Sequence, residues 1–461
     1  MVGLRTWRSR WAWIAPSLLL LSCAAPASAD AWYPYGRKYT QWQARRPFMY
    51  GALHNSVPED QLTHRMQRFK AAGLNTIIWW KPGNALHVFE AASRVGVGWA
   101  SGSSGGRPAI EAAMKLPGNA FLMVGDEPGD AELEEIGELT RWVNETYPQV
   151  PVFTNLSFMK VSHDLYVQTC QPDILSFDNY PLLRNGETQS HYLYNLAWGR
   201  HSAQKYRLPY WLFLQAYGRE HERPNYAYRV PDEADLRFLV FTHLAHGGAG
   251  TMFFHYYGHP GSMIDDVKVE NEGRAGAPQH RYEHTVASRA WFAVRDVAPE
   301  VQNLGRALVN LRSKGEITYT GNGMLWDHDP PRYTTHNRED GYRSGPFTGR
   351  GSLKSVRVVE QDEMGLLVGF FDDQAGQEYF MVVNMMHGLN MSKMDALRTV
   401  RLTFEHTVAK IERLNRLTGQ VELLATVPGE GGTMQIDVQL EGGSGDLFKW
   451  HNGQPWNLRD W

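Results

Sequence analysis

Ala120-Phe121-Leu122-Met123-Val124-Gly125-Asp126-Glu127-Pro128 is the stretch whose reading decides the fold. Five apolar residues in a row read as a strand buried on both faces. A helix signal follows at once: Asp130, then Leu133, Ile136, Leu139 and Val143 at helical spacing. The junction between strand and helix carries two adjacent carboxylates, and Pro128 stops the strand there. An α/β barrel places its catalytic acids at such strand ends.

The same rhythm extends in both directions. Strand-like segments are Phe48–Leu53, Asn75–Trp80, Gly96–Ala100, Ala120–Gly125, Val152–Asn155, Ile174–Asp178, Trp211–Gln215 and Gly250–His255. Helical patterns separate them, most clearly Pro58–Ala72, Asp130–Thr146 and Asp232–His246. Strands alternating with helices imply parallel βαβ units, and eight units in about 250 residues fit a (β/α)₈ TIM barrel. The rival, a doubly wound sheet, needs a glycine-rich phosphate loop that the sequence lacks. Beyond residue 305 short strands take over: Leu353–Glu360, Gly365–Phe371, Glu378–Asn384, Thr399–Phe404, Gln420–Ala425 and Met434–Leu440. Their spacing predicts a smaller antiparallel β-sandwich. The expected organisation is a leader over 1–29, a barrel over 30–304 and a sandwich over 305–461, with the polar run Asp327–Gly351 as a long loop.

Arg5, Arg8 and Arg10 precede the apolar stretch Trp11–Leu21, which is too short for a typical membrane span. Ala27-Ser28-Ala29 fits a signal-peptidase site. Leu20-Leu21-Ser22-Cys23 resembles a bacterial lipobox, whose cysteine becomes a lipid anchor to the membrane. Either processing route predicts export, secreted, periplasmic or lipid-anchored at the cell envelope. Cys170 is then the sole remaining cysteine, so the mature chain has no intramolecular disulfide. The formal net charge is −3 and basic residues are dispersed, which argues against a nucleic-acid partner. No feature points to a protein partner or a cofactor. Aromatics make up 12% of residues, a mild lean toward clefts in which sugar faces stack on rings.

The predicted strand ends supply a set of side chains rich in carboxylates and aromatics. They are His54, Trp79 and Trp80, Trp99, Asp126 and Glu127, Asn155, Asp178 with Tyr180, Gln215 with Tyr217, and His255 with Tyr256. Glu220 and Glu222 lie just past strand seven. Neighbours on a strand face opposite ways, so one of Trp79 and Trp80 belongs to the core. Metal binding is disfavoured: there is no His-x-x-x-His helix or cysteine cluster, and Asp265, Asp266, Glu270 and Glu272 lack calcium-loop spacing. No Gly-x-Ser-x-Gly nucleophile elbow appears. Paired carboxylates with aromatic platforms are the equipment of glycoside hydrolysis, in which one acid protonates the leaving oxygen and another carboxylate attacks the sugar or activates water.

At this point the chain resembles a family group. Strand–Gly125-Asp126-Glu127-Pro128 looks like the Asn-Glu-Pro strand-four signature of clan A glycoside hydrolases. The resemblance implies Glu127 as acid/base, Asp126 in the position that holds a sugar hydroxyl, and Tyr180 as the aromatic that hydrogen-bonds the nucleophile. The segment Leu244–Gly250 running into Phe253-Phe254-His255-Tyr256 is similar to the last helix-to-strand step of bacterial sugar-cleaving barrels. One departure stands out. The clan's nucleophilic Glu belongs at the end of strand seven, where this chain has Gln215. Glu220, Glu222 and Asp178 are the candidates for the second catalytic carboxylate. Asn155, Gln215, Trp80, Trp99, His54, Tyr217 and Tyr256 join Asp126 and Tyr180 as candidate substrate contacts. The expected function is cleavage of O-glycosidic bonds in a poly- or oligosaccharide. The alternative is a non-catalytic carbohydrate-binding lipoprotein, which the neutral Gln215 favours.

Overall fold

The computed structural model describes residues 32–54, 62–80, 85–157, 160–189, 191–258, 261–266, 285–320, 342–344, 349–359 and 365–461. The expected leader with Cys23, and also Glu270 and Glu272, lie outside these residues; so do the side chains of Asp265 and Asp266.

Helix α1 (Arg37–Gln43) leads into eight parallel strands that close into a barrel in sequence order. They are β1 (Met49–His54), β2 (Thr76–Trp79), β3 (Gly98–Gly102), β4 (Asn119–Asp126), β5 (Val152–Ser157), β6 (Leu175–Asn179), β7 (Tyr210–Gln215) and β8 (Gly250–Tyr257). Between them run α2 (Leu62–Ala71), α3 (Leu86–Arg94), α4 (Gly106–Ala113), α5 (Leu133–Thr146), α6 (His163–Cys170), α7 (Tyr192–Tyr206) and α8 (Glu233–Ala245). The expected TIM barrel is present. Strand residues alternate between two cores. Ile77, Trp79, Leu122 and Val124 pack outward under the helices, while Ile78, Phe121, Met123, Phe153 and Phe213 fill the barrel. Double-sided burial explains the unbroken apolar run at 120–124. Helix α1 plugs the N-terminal end: Tyr39 and Trp42 pack against Trp211, and Trp42 Nε1 donates to the Ala120 carbonyl at 2.6 Å.

One irregularity in β4 sets up the site. The β4–β5 register shifts between Met123 and Gly125, so that Gly125 pairs with Thr154 and Asp126 with Asn155. The shift re-phases the strand end. Unshifted alternation would put Asp126 on the helix side with Leu122 and Val124; the bulge puts it beside Asn155 at the mouth. Gly125 makes this possible, because a Cβ there would meet Thr154 Cγ2 at 2.7 Å and Ile136 Cδ1 at 3.0 Å.

After β8 come a short antiparallel pair, β9 (Ile264–Asp266) and β10 (Thr285–Ala287), and the long α9 (Arg289–Leu308). The remaining strands are β11 (Arg312–Thr320), β12 (Tyr342–Ser344), β13 (Leu353–Val358), β14 (Leu366–Asp372), β15 (Glu378–Asn384), β16 (Arg398–Phe404), β17 (Lys410–Leu414), β18 (Val421–Ala425), β19 (Val427–Pro428), β20 (Met434–Leu440) and β21 (Gly445–Trp450). They form a seven-stranded sheet, β12-β11-β14-β15-β21-β17-β18, and a four-stranded one, β13-β16-β20-β19. All pairings are antiparallel except β11 with β12. Leu366, Val368, Phe380 and Val382 meet Val400, Leu402 and Phe404 between the sheets, which makes a sandwich. The outer face of the larger sheet, with Leu367, Phe371, Met381 and Val383, joins the core under the barrel helices. A Cβ on Gly369 would sit 2.1 Å from the Ala245 carbonyl oxygen of α8, so the sheet lies directly on that helix end.

An ionic network stitches this junction. Arg237 of α8 bonds Glu300 of α9 at 2.7 and 2.9 Å and Ser444 Oγ at 3.1 Å. Arg416, in the turn after β17, reaches Glu300 at 2.8 Å, Glu441 at 2.6 Å and also Asp446. Burial pushes the Arg237 guanidinium down, and the Glu300, Glu441 and Glu233 carboxylates outweigh it, leaving Arg237 above its usual value. Each cation here is matched by carboxylates on two sides.

Candidate active site

The C-terminal strand ends gather three carboxylates and one ammonium. Glu127 follows β4 with φ of +46°, a left-handed conformation that costs a non-glycine residue about 1 kcal/mol or more. Its amide donates to the Asn155 carbonyl at 2.8 Å, which anchors the turn to β5. Its carboxylate accepts from Lys160 Nζ at 2.9 Å, and the same ammonium reaches the Glu127 carbonyl at 3.2 Å. Lys160 stands in the loop after β5 and was not among the residues singled out from sequence; a cation three residues past a strand end carries no pattern.

Asp178, near the end of β6, is in hydrogen-bond contact with Glu127. Two carboxyls in contact must share a proton, because two adjacent anions repel. Burial pushes Asp178 well above the usual carboxylate range, and the charges of Glu127 and Asp126 push it further. The Tyr180 hydroxyl donates to Asp178 and partly opposes this. Asp126 accepts from Asn155 Nδ2 at 3.1 Å. Loss of hydration in the mouth raises Asp126, the Asn155 bond lowers it and the Glu127 charge raises it, with a net upward shift. Four expected residues (Asp126, Glu127, Asn155 and Asp178) therefore converge, with Tyr180 beside them.

Tyr217 packs at the edge of this group. Its ring meets Tyr180 edge-on at 5.4 Å and stacks on His255 at 5.4 Å. Burial raises its phenol, and Asp178 and Glu127 are among the charges that add to this. Trp80 is half-buried and packs against the barrel-interior residues, while Trp79 is the member of that pair in the outer core.

Other expectations need correction. Gln215 is fully buried and cannot touch a substrate. Its Oε1 accepts from the Leu182 amide at 2.8 Å, and its Nε2 donates to the carbonyls of Leu182, Tyr217 and Arg229 at 3.1, 3.3 and 2.8 Å. It ties two strand-end loops together. Trp99 lies near the start of β3, because that strand runs two residues later than expected; its ring stacks on Phe89 at 4.3 Å and its Nε1 donates to the Pro117 carbonyl. Tyr256 is fully buried against Phe69. His54 is fully buried between Trp79 and Tyr256, and burial, then Arg65 and His255, holds it well below the usual histidine range, so it is neutral. Glu220 is 83% exposed and paired with Arg184 at 2.5 Å, and Glu222 is exposed. Of the three candidates for the second carboxylate, only Asp178 stands against Glu127.

No family model matches the chain, and no curated protein matches it. Solved structures give distant likenesses. An α-L-arabinofuranosidase from Thermotoga maritima is 10% identical, covering 87% of this chain and 97% of its own, with a TM-score of 0.44. A family 5 glycoside hydrolase from Bacteroides vulgatus is 9% identical, covering 90% and 92%, with a TM-score of 0.40. A β-galactosidase from Marinomonas is 10% identical, covering 57% of this chain and 62% of its own, with a TM-score of 0.41.

A cavity of about 500 Å³ lies at the opposite end of the barrel, lined by Lys38, Arg45, Arg46 and Asn119 with no carboxylate. Acid/base chemistry has no acid there. Among the described residues, no group of three or more His, Cys, Asp or Glu side chains is placed to hold a metal ion.

Proposed function

We propose that the chain is a glycoside hydrolase that cleaves O-glycosidic bonds of a poly- or oligosaccharide with Glu127 and Asp178 as its acid/base pair. The observation that carries this reading is the direct contact of the two carboxyls at the barrel mouth, with Lys160 on one of them. Carboxyls this near each other favour the retaining class, whose pair lies about 5 Å apart, over the inverting class at about 6.5–9.5 Å.

The environment assigns the two roles. Lys160 supplies the counter-charge of a Glu127 carboxylate, and Asp178 carries the shared proton. A sugar entering the mouth breaks the contact. Glu127 attacks the anomeric carbon, the bond to the leaving oxygen breaks, and the Asp178 proton goes to that oxygen. Asp178, now an anion, then takes a proton from water; the water oxygen attacks the same carbon and Glu127 leaves. Tyr180 steadies Asp178 while it is ionised. These roles exchange those that the strand-four resemblance implies for Glu127.

Azide distinguishes the two assignments. With an aryl glycoside that the protein turns over, Glu127→Ala plus azide gives the glycosyl azide of inverted configuration, and Asp178→Ala plus azide gives the retained one. The opposite pattern would restore Glu127 as acid/base. Full hydrolysis in both variants would remove Glu127 and Asp178 as the catalytic pair, and no hydrolysis of any glycoside by the unaltered protein would remove the hydrolase reading.

The non-catalytic alternative loses its support, because Gln215 is a loop tie and a second carboxylate does face Glu127. Export through the 1–29 leader, with or without a lipid on Cys23, completes the proposal. It rests on the basic residues, apolar run and cleavage patterns of that segment. Metabolic labelling with a radioactive fatty acid tests it; label lost in Cys23→Ser supports the anchored form.

A further inference from the structure

The residues past strand seven that do no acid/base work build a fixed rim beside the carboxyl pair. Arg219 and Tyr228 exchange backbone bonds of 2.9 and 2.8 Å, so the segment folds back on itself as a hairpin. Leu183 bridges to Tyr228, and the Arg184 amide donates to the Ala227 carbonyl at 2.9 Å. Arg229 is buried in a two-pronged pair with Asp235, both bonds 2.8 Å, and also donates to the Leu183 and Glu187 carbonyls. The Gln215 amide and the Arg184–Glu220 pair close the same seam. A segment held at so many points is a platform rather than a lid.

Aromatic rings run outward along this rim. Tyr228 meets Tyr217 at 5.8 Å and Tyr180 at 6.3 Å, and Asp178 and Glu127 are among the charges felt by its phenol. The Arg219 guanidinium covers the Tyr228 ring at 5.4 Å. Beyond it, Tyr226 sits on a 3₁₀ turn with its ring 5.5 Å from His221 and is 48% exposed. Among the described residues, the other large exposed aromatics are Phe292 on α9 and Trp461 at the chain end. Tyr226 alone of these stands on a strand-end loop of the barrel mouth.

We propose that Tyr226 is the stacking platform for a further pyranose ring of the substrate, at least one unit away from the bond held at Glu127 and Asp178. An aromatic face half open to water, preset on a rigid rim, binds an apolar sugar face at little ordering cost. The substrate class that follows is an oligosaccharide or polysaccharide chain rather than a simple monoglycoside. The position of the cleaved bond rests on the hydrolase reading above.

The test measures calorimetric affinity for cello-, manno-, xylo- and galacto-oligosaccharides of two to six units. Asp178→Asn is the parent in this measurement, so that turnover does not consume the ligand. Affinity should rise about tenfold from two to four units for the recognised series, the order of one stacked ring. Adding Tyr226→Ala should shrink that gain below about twofold, and adding Tyr226→Trp should keep it. A length gain that survives Tyr226→Ala, or no binding of any series, overturns the platform. Hydrolysis of the same panel by the unaltered protein is measured separately. A Tyr226-dependent length gain without any hydrolysis keeps the platform and overturns the hydrolase reading; hydrolysis without that gain does the reverse.

Discussion

Two clusters of ionisable groups lie in this molecule, and they are built on opposite terms. At the barrel–sandwich junction, Arg237 and Arg416 are surrounded by Glu300, Glu441 and Asp446, and every charge has an opposite neighbour. At the barrel mouth, Asp126, Glu127 and Asp178 crowd together with Lys160 as their cation. The first arrangement leaves no buried charge without an opposite one. The second keeps a proton on a carboxyl that would lose it in water. Balanced charge at a domain seam is structural; unbalanced charge at a strand end is a reservoir for chemistry.

The sharpest way to break the comparison is to neutralise the mouth. Asp178→Asn and Glu127→Gln should each lower kcat about a thousandfold on any substrate the protein turns over, without loss of fold. Asp178→Asn should also raise the melting temperature at neutral pH. Folded Asp178 holds a proton at pH values where an unfolded Asp, with a pKa of about 3.9, has lost it. The folded state then binds more protons, so stability falls as pH rises from about 4 through the raised folded value. The advantage of Asn should therefore vanish as pH drops toward 4. Thermal melts from pH 4 to pH 8 check this, and a variant less stable than the parent at pH 7 would count against it.

Breaking the junction should have the opposite character. Arg416→Met leaves Glu300, Glu441 and Asp446 short of a partner in a buried place, and should cost about 3 kcal/mol or more in denaturant unfolding. Its pH–activity profile should keep the parent's shape. A shifted profile would show that the two clusters communicate.

How much of this was legible in the sequence follows from the physics. The eight units were legible because burial on both faces writes continuous apolar strands and amphipathic helices into the chain. Glu127 was legible as a carboxylate at the end of such a strand. The bulge at Val124 was not: it depends on how β4 sits against β5, and it decides that Asp126 faces the mouth. Strand position failed at Trp99, where a two-residue displacement of β3 turned an expected strand end into a strand start without changing the face. Gln215 occupied the expected position but serves the loops above it, a role set by backbone carbonyls that have no sequence signal. Lys160 was missed because its partner lies 33 residues away.

Two smaller effects sharpen the contrast. Lys160→Met removes the mouth's counter-charge. It should lower kcat/KM about tenfold and move the acid limb of the pH profile upward, since the pair then holds its proton more tightly. Glu220→Gln breaks a pair that is largely in water, and should change stability by less than about 1 kcal/mol and activity less than about threefold. A large loss in that variant would return Glu220 to the list of catalytic carboxylates.

The shared proton itself can be watched. With ¹³C-carboxyl-labelled aspartate, the Asp178 resonance is assigned by its loss in Asp178→Asn and followed from pH 3 to pH 9. A protonated shift should persist through neutral pH, with titration well above the ordinary aspartate range. An Asp178 signal that is fully ionised by pH 5 would contradict it.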